Sequence, residues 1–399
     1  MMRWWSFAGD GQGTVKVLKS LLSAMTTPMA SPDMTATLQA ALDAAAASRV
    51  AYTIPAGGNR LTSTGLGYAS NARIVMAGDL YNDHGPLVGT HYCLTNRSGK
   101  RLTNVTITGA GGAFVGAATD PAGATRKGLG IVSTDGFTVI GVRTAGPLTG
   151  FGMEIKNSTG GHVNGLVLNS GVNKPGADGL HFFGACVRVT GSNIVVQSGD
   201  DALSFTSENT ESIDALMERI TLATMTLNSA AFSCIKFYTS KATGTAVIRN
   251  VTLTGIKGRI TQGPTGCPLM MQNDGAAQGC VIDAVTIVNA DLDFGAATQD
   301  GPTAYITDCS NVTLRNVTLR GRRNGQFLRA IRCTGLRVTG EVWDTIAGNP
   351  MNDLVQLEQC SNYDIDLVVR SATGARIGSL KVRNTGTDTA TRFIAMTGA

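Results

Sequence analysis

The stretch "CIKFYTSKATGTAVIRNVTLTGIKG", Cys234 to Gly258, holds two short apolar runs joined by a glycine turn. In the first run Ile235 and Phe237 alternate with Lys236 and Tyr238, which is the period of a strand. The last part, "NVTLTG" from Asn250, has near copies along the chain. They are "NVTITG" from Asn104, "GVRTAG" from Gly141, "GLVLNSG" from Gly165, "NIVVQSG" from Asn193, "TMTLNS" from Thr224, "AVTIVNA" from Ala284 and "NVTLRG" from Asn316. The gaps run from about 24 to about 37 residues, a solenoid period. The first run belongs to a second ladder in phase with this one: "MEIKNS" from Met153, "LHFFGA" from Leu180, "LSFTSE" from Leu203, "LMMQND" from Leu269, "AYITDC" from Ala304 and "VQLEQC" from Val355. Short β-branched strands that bend at glycine-rich corners fit a parallel β-helix. A propeller needs longer, four-stranded repeats. A sandwich would show Asn-Gly hairpin signals, and these are scarce.

The N-terminal part reads differently. "DMTATLQAALDAAAAS", Asp33 to Ser48, is alanine-rich, with Leu38 and Leu42 four apart and Asp33 or Thr35 placed to cap it. A helix here would cover the first open coil, whose strand edges and core end need protection. The expected organisation is a cap segment with a helix over residues 1–51 and a β-helix domain over 52–399. The last residues, "RFIAMTGA", still read as strand, so the far end is expected to lack a cap of its own and to be closed by a partner subunit or a further domain.

The 399 residues include 50 glycines and only 15% charged residues. That is too apolar for disorder. The net charge of +5 is spread without basic runs, so no nucleic-acid partner is expected. An acidic polymer is compatible with it. No apolar run approaches a membrane span, so no membrane partner is expected either. The opening "MMRWWSFAGDGQG" lacks the apolar stretch of a secretory signal. The eight cysteines form no CxxC or metal spacing and read as buried thiols rather than a disulfide framework. No cofactor and no metal are expected.

Within this frame "QSGDDALSF", Gln197 to Phe205, stands out. Two adjacent carboxylates, Asp200 and Asp201, precede a strand that neither suits. Gly-Asp is also ordinary turn chemistry. In each rung of the second ladder the first and third residues are apolar and should face inward, which leaves the second to face solvent. That column reads Glu154, His181, Ser204, Lys236, Met270 and Tyr305. Two residues on, it reads Lys156, Phe183, Thr206, Tyr238, Gln272 and Thr307. Coils lie about 4.8 Å apart, so these side chains form one strip, with Asp178 one coil before Asp200 and Asp201. Carboxylates beside exposed aromatics suit a carbohydrate groove. The plain alternative is a solvated ion cluster of Asp178 and Asp201 with Lys236.

"ADGLHF", "SGDDALSF" and "CIKFYTS" resemble the segments that carry the active site of the polygalacturonase-like pectinases. These are glycoside hydrolases built on a right-handed parallel β-helix. The resemblance is specific over Ala177 to Lys257 and architectural elsewhere. It places the family's Asn-Thr-Asp aspartate on Asp178, its Gly-Asp-Asp pair on Asp200 and Asp201, and the lysine of its Arg-Ile-Lys motif on Lys236. It implies an inverting hydrolysis, with Asp200 as the acid and Asp178 and Asp201 as the base pair. Glu154, His181, Lys236, Tyr238, Gln272 and Tyr305 would bind substrate. The chain departs from the family at two points. All four histidines precede Gly199, so no Gly-His-Gly follows, and Cys234 stands where the family has arginine. A β-helix chain of this size without a secretion signal also resembles the tailspike depolymerases of bacteriophages. That implies a homotrimer and an extracellular or virion-associated setting. Two readings stand beside the hydrolase: a polysaccharide lyase on the same fold, with Lys236 or Tyr238 as base, and a carbohydrate-binding β-helix without activity.

Overall fold

A computed structural model describes residues 32–83, 89–116, 124–146, 148–170, 176–208, 215–240, 245–261, 266–295, 301–321, 326–344, 354–388 and 391–394. The first part of the expected cap segment, 1–31, lies outside them. Asp33 to Ala399 forms one compact unit. It is an all-β parallel solenoid. Among the described residues a broad sheet has nineteen strands and a narrow sheet twelve. Each strand pairs in parallel with its counterpart one coil on, except at the C-terminal end. No helix among the described residues is long and apolar enough to cross a membrane.

The corners explain the repeats. Asn71, Asn104 and Asn250 have φ of 63°, 56° and 53°. The strand registers place them at one corner of successive coils, together with Gly136, Gly160 and Ala284. A single left-handed residue turns the chain without ending its sheet, and Asn and Gly adopt that conformation most readily. A second corner follows five residues later, at Asn193, Thr224, Gly255, Asn289 and Asn316. The Asn316 side-chain Nδ2 donates to the Asn289 Oδ1 at 2.8 Å. The repeated segments therefore come from two columns, not one. "NVTITG", "NVTLTG" and "AVTIVNA" start at the first corner, and the others at the second. The same device at both corners makes the two look alike in sequence.

The core follows the alternation. Leu180, Leu203, Ile235 and Leu269 stack inward, as do Phe182, Phe205 and Phe237, and all are fully buried. The three phenylalanine rings stack with centroids 4.9 and 4.6 Å apart. Burial of each contributes roughly 2–3 kcal/mol. All eight cysteines are buried free thiols, as expected.

The helix Thr35–Ala47 buries Leu38 and Leu42 in the same core. Asp33 accepts hydrogen bonds from the Thr35 amide at 3.0 Å and the Thr62 amide at 3.1 Å, tying the helix entry to the first coil. The far end differs from expectation. Arg376–Thr387 pairs antiparallel with Ser361–Ser371, and Thr391–Ile394 pairs antiparallel with Val355–Glu358. The last coil thus ends in two antiparallel pairings, where the ladders led to an expectation of parallel strands.

Candidate active site

The narrow sheet sets the side chains in register. Glu154, His181, Ser204, Lys236, Met270 and Tyr305 form one outward column, and Lys156, Phe183, Thr206, Tyr238, Gln272 and Thr307 another. Both columns match the sequence reading. Their exposure does not: Glu154, His181, Ser204 and Thr206 are buried, and Phe183, Tyr238 and Tyr305 are half-buried. The reason lies two residues upstream of each rung. Lys127, Phe151, Asp178, Asp201 and Ser233 form a further column, joined by backbone bonds of 2.8–3.0 Å between neighbouring coils. Their side chains close over the strip from its edge.

Asp178 and Asp201 belong to this edge column, and Asp200 precedes Asp201 at the same corner. The corner is fixed by two hydroxyls. Ser198 and Ser229 both donate to the Asp200 carbonyl, at 2.9 and 2.6 Å. Carboxylate oxygens of Asp178, Asp200 and Asp201 all lie within 4.8 Å of one another. Asp178 and Asp201 are 3% and 1% exposed, while Asp200 is half-buried. Asp178 meets His181 Nδ1 at 2.5 Å. Asp201 meets Lys236 Nζ at 3.0 Å and accepts from the Ser233 amide at 3.2 Å. Asp200 accepts from the Gly176 amide at 2.6 Å. This is a buried cluster rather than the solvated ion pair of the plain alternative.

Burial, with Asp200 close by, pushes Asp178 up to about 8 against the pull of Lys236 and Lys127. Burial and the Asp178 charge likewise hold Asp201 well above the usual carboxylate range, against Lys236. Burial pulls the Lys236 ammonium down, but Asp201, Asp178 and Asp200 outweigh it, and the net shift is upward. Three carboxyls this close cannot all ionise cheaply, so the set keeps a proton at neutral pH. The trio also presents an oxygen set that a hard cation could use, although the Lys236 ammonium already supplies a positive charge there.

Around the trio, His181 stacks on Phe151, with centroids 4.0 Å apart and planes at 24°. Lys127 Nζ lies 4.0 Å from the Phe151 centroid and 3.1 Å from Glu154. Glu154 also accepts from the Tyr92 hydroxyl. The Glu154 carboxylate is therefore engaged by protein groups, one rung from His181. Tyr238 and Gln272 lie on the other side of Lys236, and both bond to Asp274, at 3.2 Å and at 2.8 and 2.9 Å. Tyr305 stands two rungs from Lys236 beside Arg329. The structure thus brings together Asp178, Asp200, Asp201, His181 and Lys236, and spreads Glu154, Tyr238, Gln272 and Tyr305 along the strip. Cys234 is fully buried, so that position offers no contact to a substrate carboxylate. Lys127, Phe151, Tyr92 and Ser233 were missed from sequence. Carrying the register two residues upstream of each rung would have found all but Tyr92.

No family model matches the chain, and no curated protein matches it in sequence. Solved structures do resemble it in fold. A tailspike protein of the E. coli bacteriophage HK620, solved in complex with a hexasaccharide, is 14% identical with a TM-score of 0.57. That match covers 84% of this chain and 62% of the tailspike. A Family 28 exopolygalacturonase from Yersinia enterocolitica is 13% identical with a TM-score of 0.51, and the match covers 89% of this chain and 78% of the other. At such identities the likeness is one of fold.

Proposed function

We propose that the protein is a polysaccharide depolymerase that hydrolyses glycosidic bonds at Asp178, Asp200 and Asp201. The observation that carries this reading is the trio itself: three carboxyls within 4.8 Å, two of them buried and shifted upward, on the rim of an open β-sheet face. Proton retention by such a set is what an acid catalyst at neutral pH requires. The saccharide-binding and polysaccharide-cleaving neighbours on the same fold support it.

In this mechanism the proton that the trio keeps passes to Asp200, the half-buried member, which gives it to the leaving glycosidic oxygen as the C–O bond breaks. Once that proton is on Asp200, His181, Lys236 and the Ser233 amide hold Asp178 and Asp201 as carboxylates. They hold a water, which attacks the anomeric carbon and loses its proton to one of them. Inverting enzymes usually separate their carboxyls by about 6.5–9.5 Å and retaining ones by about 5–5.5 Å, so the spacing alone would favour retention. Burial argues the other way. Asp178 and Asp201 are enclosed and tethered, which disfavours direct attack on a sugar carbon and leaves water as the nucleophile. A lyase is disfavoured because, of its two candidate bases, Lys236 is paired with Asp201 and Tyr238 donates to Asp274.

We further infer a right-handed coil, the sense of nearly all parallel β-crossovers, with the helix Thr35–Ala47 as its cap. An extracellular or virion-associated setting belongs to the same reading, as does a homotrimer. The outward, adjacent Val167 and Val195 would serve such a trimer as contacts. The test is a screen of plant and bacterial polysaccharides for release of reducing ends. Release without ultraviolet-absorbing unsaturated sugar supports hydrolysis. Unsaturated product would replace it with a lyase, and no release from any polymer would leave a binding protein.

A further inference from the structure

Three rungs beyond Lys236, the outward column passes Met270 and Tyr305 and reaches Arg329. At about 4.8 Å per coil this is about 14 Å. Three other arginines among the described residues of these coils are engaged. Arg320 forks onto Asp291, Arg332 onto Asp308 and Arg370 onto Glu341. Arg329 differs. Its Nε is shut off from solvent with no hydrogen-bond partner, and among the described residues no carboxylate reaches its guanidinium. Its one close neighbour of note is the Tyr305 ring, 5.8 Å from the guanidinium carbon.

A buried guanidinium Nε without an acceptor is costly to keep. Arg329 lies on the same sheet face as Lys236, the partner of Asp201, and in line with it. We propose that Arg329 and Tyr305 form a distal subsite for a carboxylated sugar. The planar fork of the guanidinium matches a carboxylate, and the Tyr305 ring gives the sugar an apolar wall. The two rungs between, Met270 and Tyr305, offer no cation, and Asp274 stands beside Gln272 on the adjoining column. A polymer with a carboxylate on every sugar would meet no counter-charge there. The pattern instead fits a heteropolysaccharide whose acidic sugar recurs with neutral sugars between. This inference rests on the depolymerase reading for the direction in which the polymer lies, but its test reads binding rather than cleavage.

The test uses calorimetric binding to the intact chain. The probes are oligosaccharides of a capsular heteropolysaccharide with one uronic acid per repeat, the same oligosaccharides with their carboxyls reduced to alcohols, and an oligouronide acidic at every sugar. The wild type should bind the acidic hetero-oligosaccharide at least about tenfold more tightly than its reduced form, the scale of one charge-assisted contact. Arg329→Met should remove that difference by weakening binding of the acidic form to the level of the reduced one, with a melting temperature equal to or above that of the wild type, because the orphaned Nε is gone. Arg329→Lys should restore part of it. The proposal is overturned by equal affinity for acidic and reduced forms, by Arg329→Met that binds like wild type, by an oligouronide bound at least as tightly, or by no binding of the acidic hetero-oligosaccharide at all. In each of those cases cleavage of a neutral polysaccharide would leave the hydrolase reading standing.

Discussion

Asp178→Asn should make the protein more stable at pH 8 while disabling it. Asn keeps the volume and can still bond to His181, but it removes one of three charges within 4.8 Å. At that separation, and an effective dielectric near 20, one like-charge pair costs about 3.5 kcal/mol. The rise of Asp178 from 3.8 to about 8, at about 1.4 kcal/mol per unit, gives an upper figure of about 6 kcal/mol. Lys236 and Lys127 offset part of this, so the gain should be about 2–4 kcal/mol. The folded-state value is raised, so the folded protein binds the extra proton. Its stability is greatest below about pH 4 and falls as the pH rises towards 8. The advantage of the variant is therefore full at pH 8 and fades towards pH 4. At about 2.1 cal/mol/K per residue for the entropy of unfolding, the pH 8 gain is about 3–5 °C in Tm. Thermal unfolding of both proteins at pH 4.5 and pH 8 measures it. A variant less stable than wild type at pH 8, or a gap that widens as pH falls, would refute the reasoning.

Asp200→Asn and Asp201→Asn should each lower kcat by about 100- to 10,000-fold with little change in KM, since the lost step belongs to the transition state; steady-state kinetics on the identified polysaccharide checks this. Lys236→Met leaves the buried Asp201 without its cation. It should cost about 2–4 kcal/mol at pH 8 and much less near pH 4, where the raised carboxyl is neutral, as read by urea unfolding at both values. Phe205→Ala opens a gap in the middle of the phenylalanine stack and should cost about 3–5 kcal/mol; a change below about 1 kcal/mol in urea unfolding would mean the stack collapses to fill it.

The solenoid was legible because its period is written twice, in the left-handed corners and in the inward apolar pairs. Ile235 and Phe237 show the second signal, and Asn250 the first. What sequence could not separate was one corner from the next, since Asn104 and Asn193 make the same bend five residues apart in the coil. The register of the strip was readable because side chains alternate strictly along a strand. Its burial was not, because Phe151 reaches over it from an irregular corner whose direction no period fixes, and Lys127 from the strand Ala124–Val132, which neither ladder of repeats included. For the same reason His181 reads in sequence as a surface group, although Phe151 covers it and Asp178 holds it. The antiparallel pairing of Arg376–Thr387 was missed because apolar alternation does not encode strand direction.

The central claim is that a water held by Asp178 and Asp201 displaces a sugar protonated by Asp200. Proton NMR of the first product formed from the cleaved polysaccharide tests it most directly. The account predicts a saturated reducing end of inverted anomeric configuration, formed by the wild type and not by Asp200→Asn. A retained anomer, an unsaturated sugar, or an undiminished product from Asp200→Asn would contradict it.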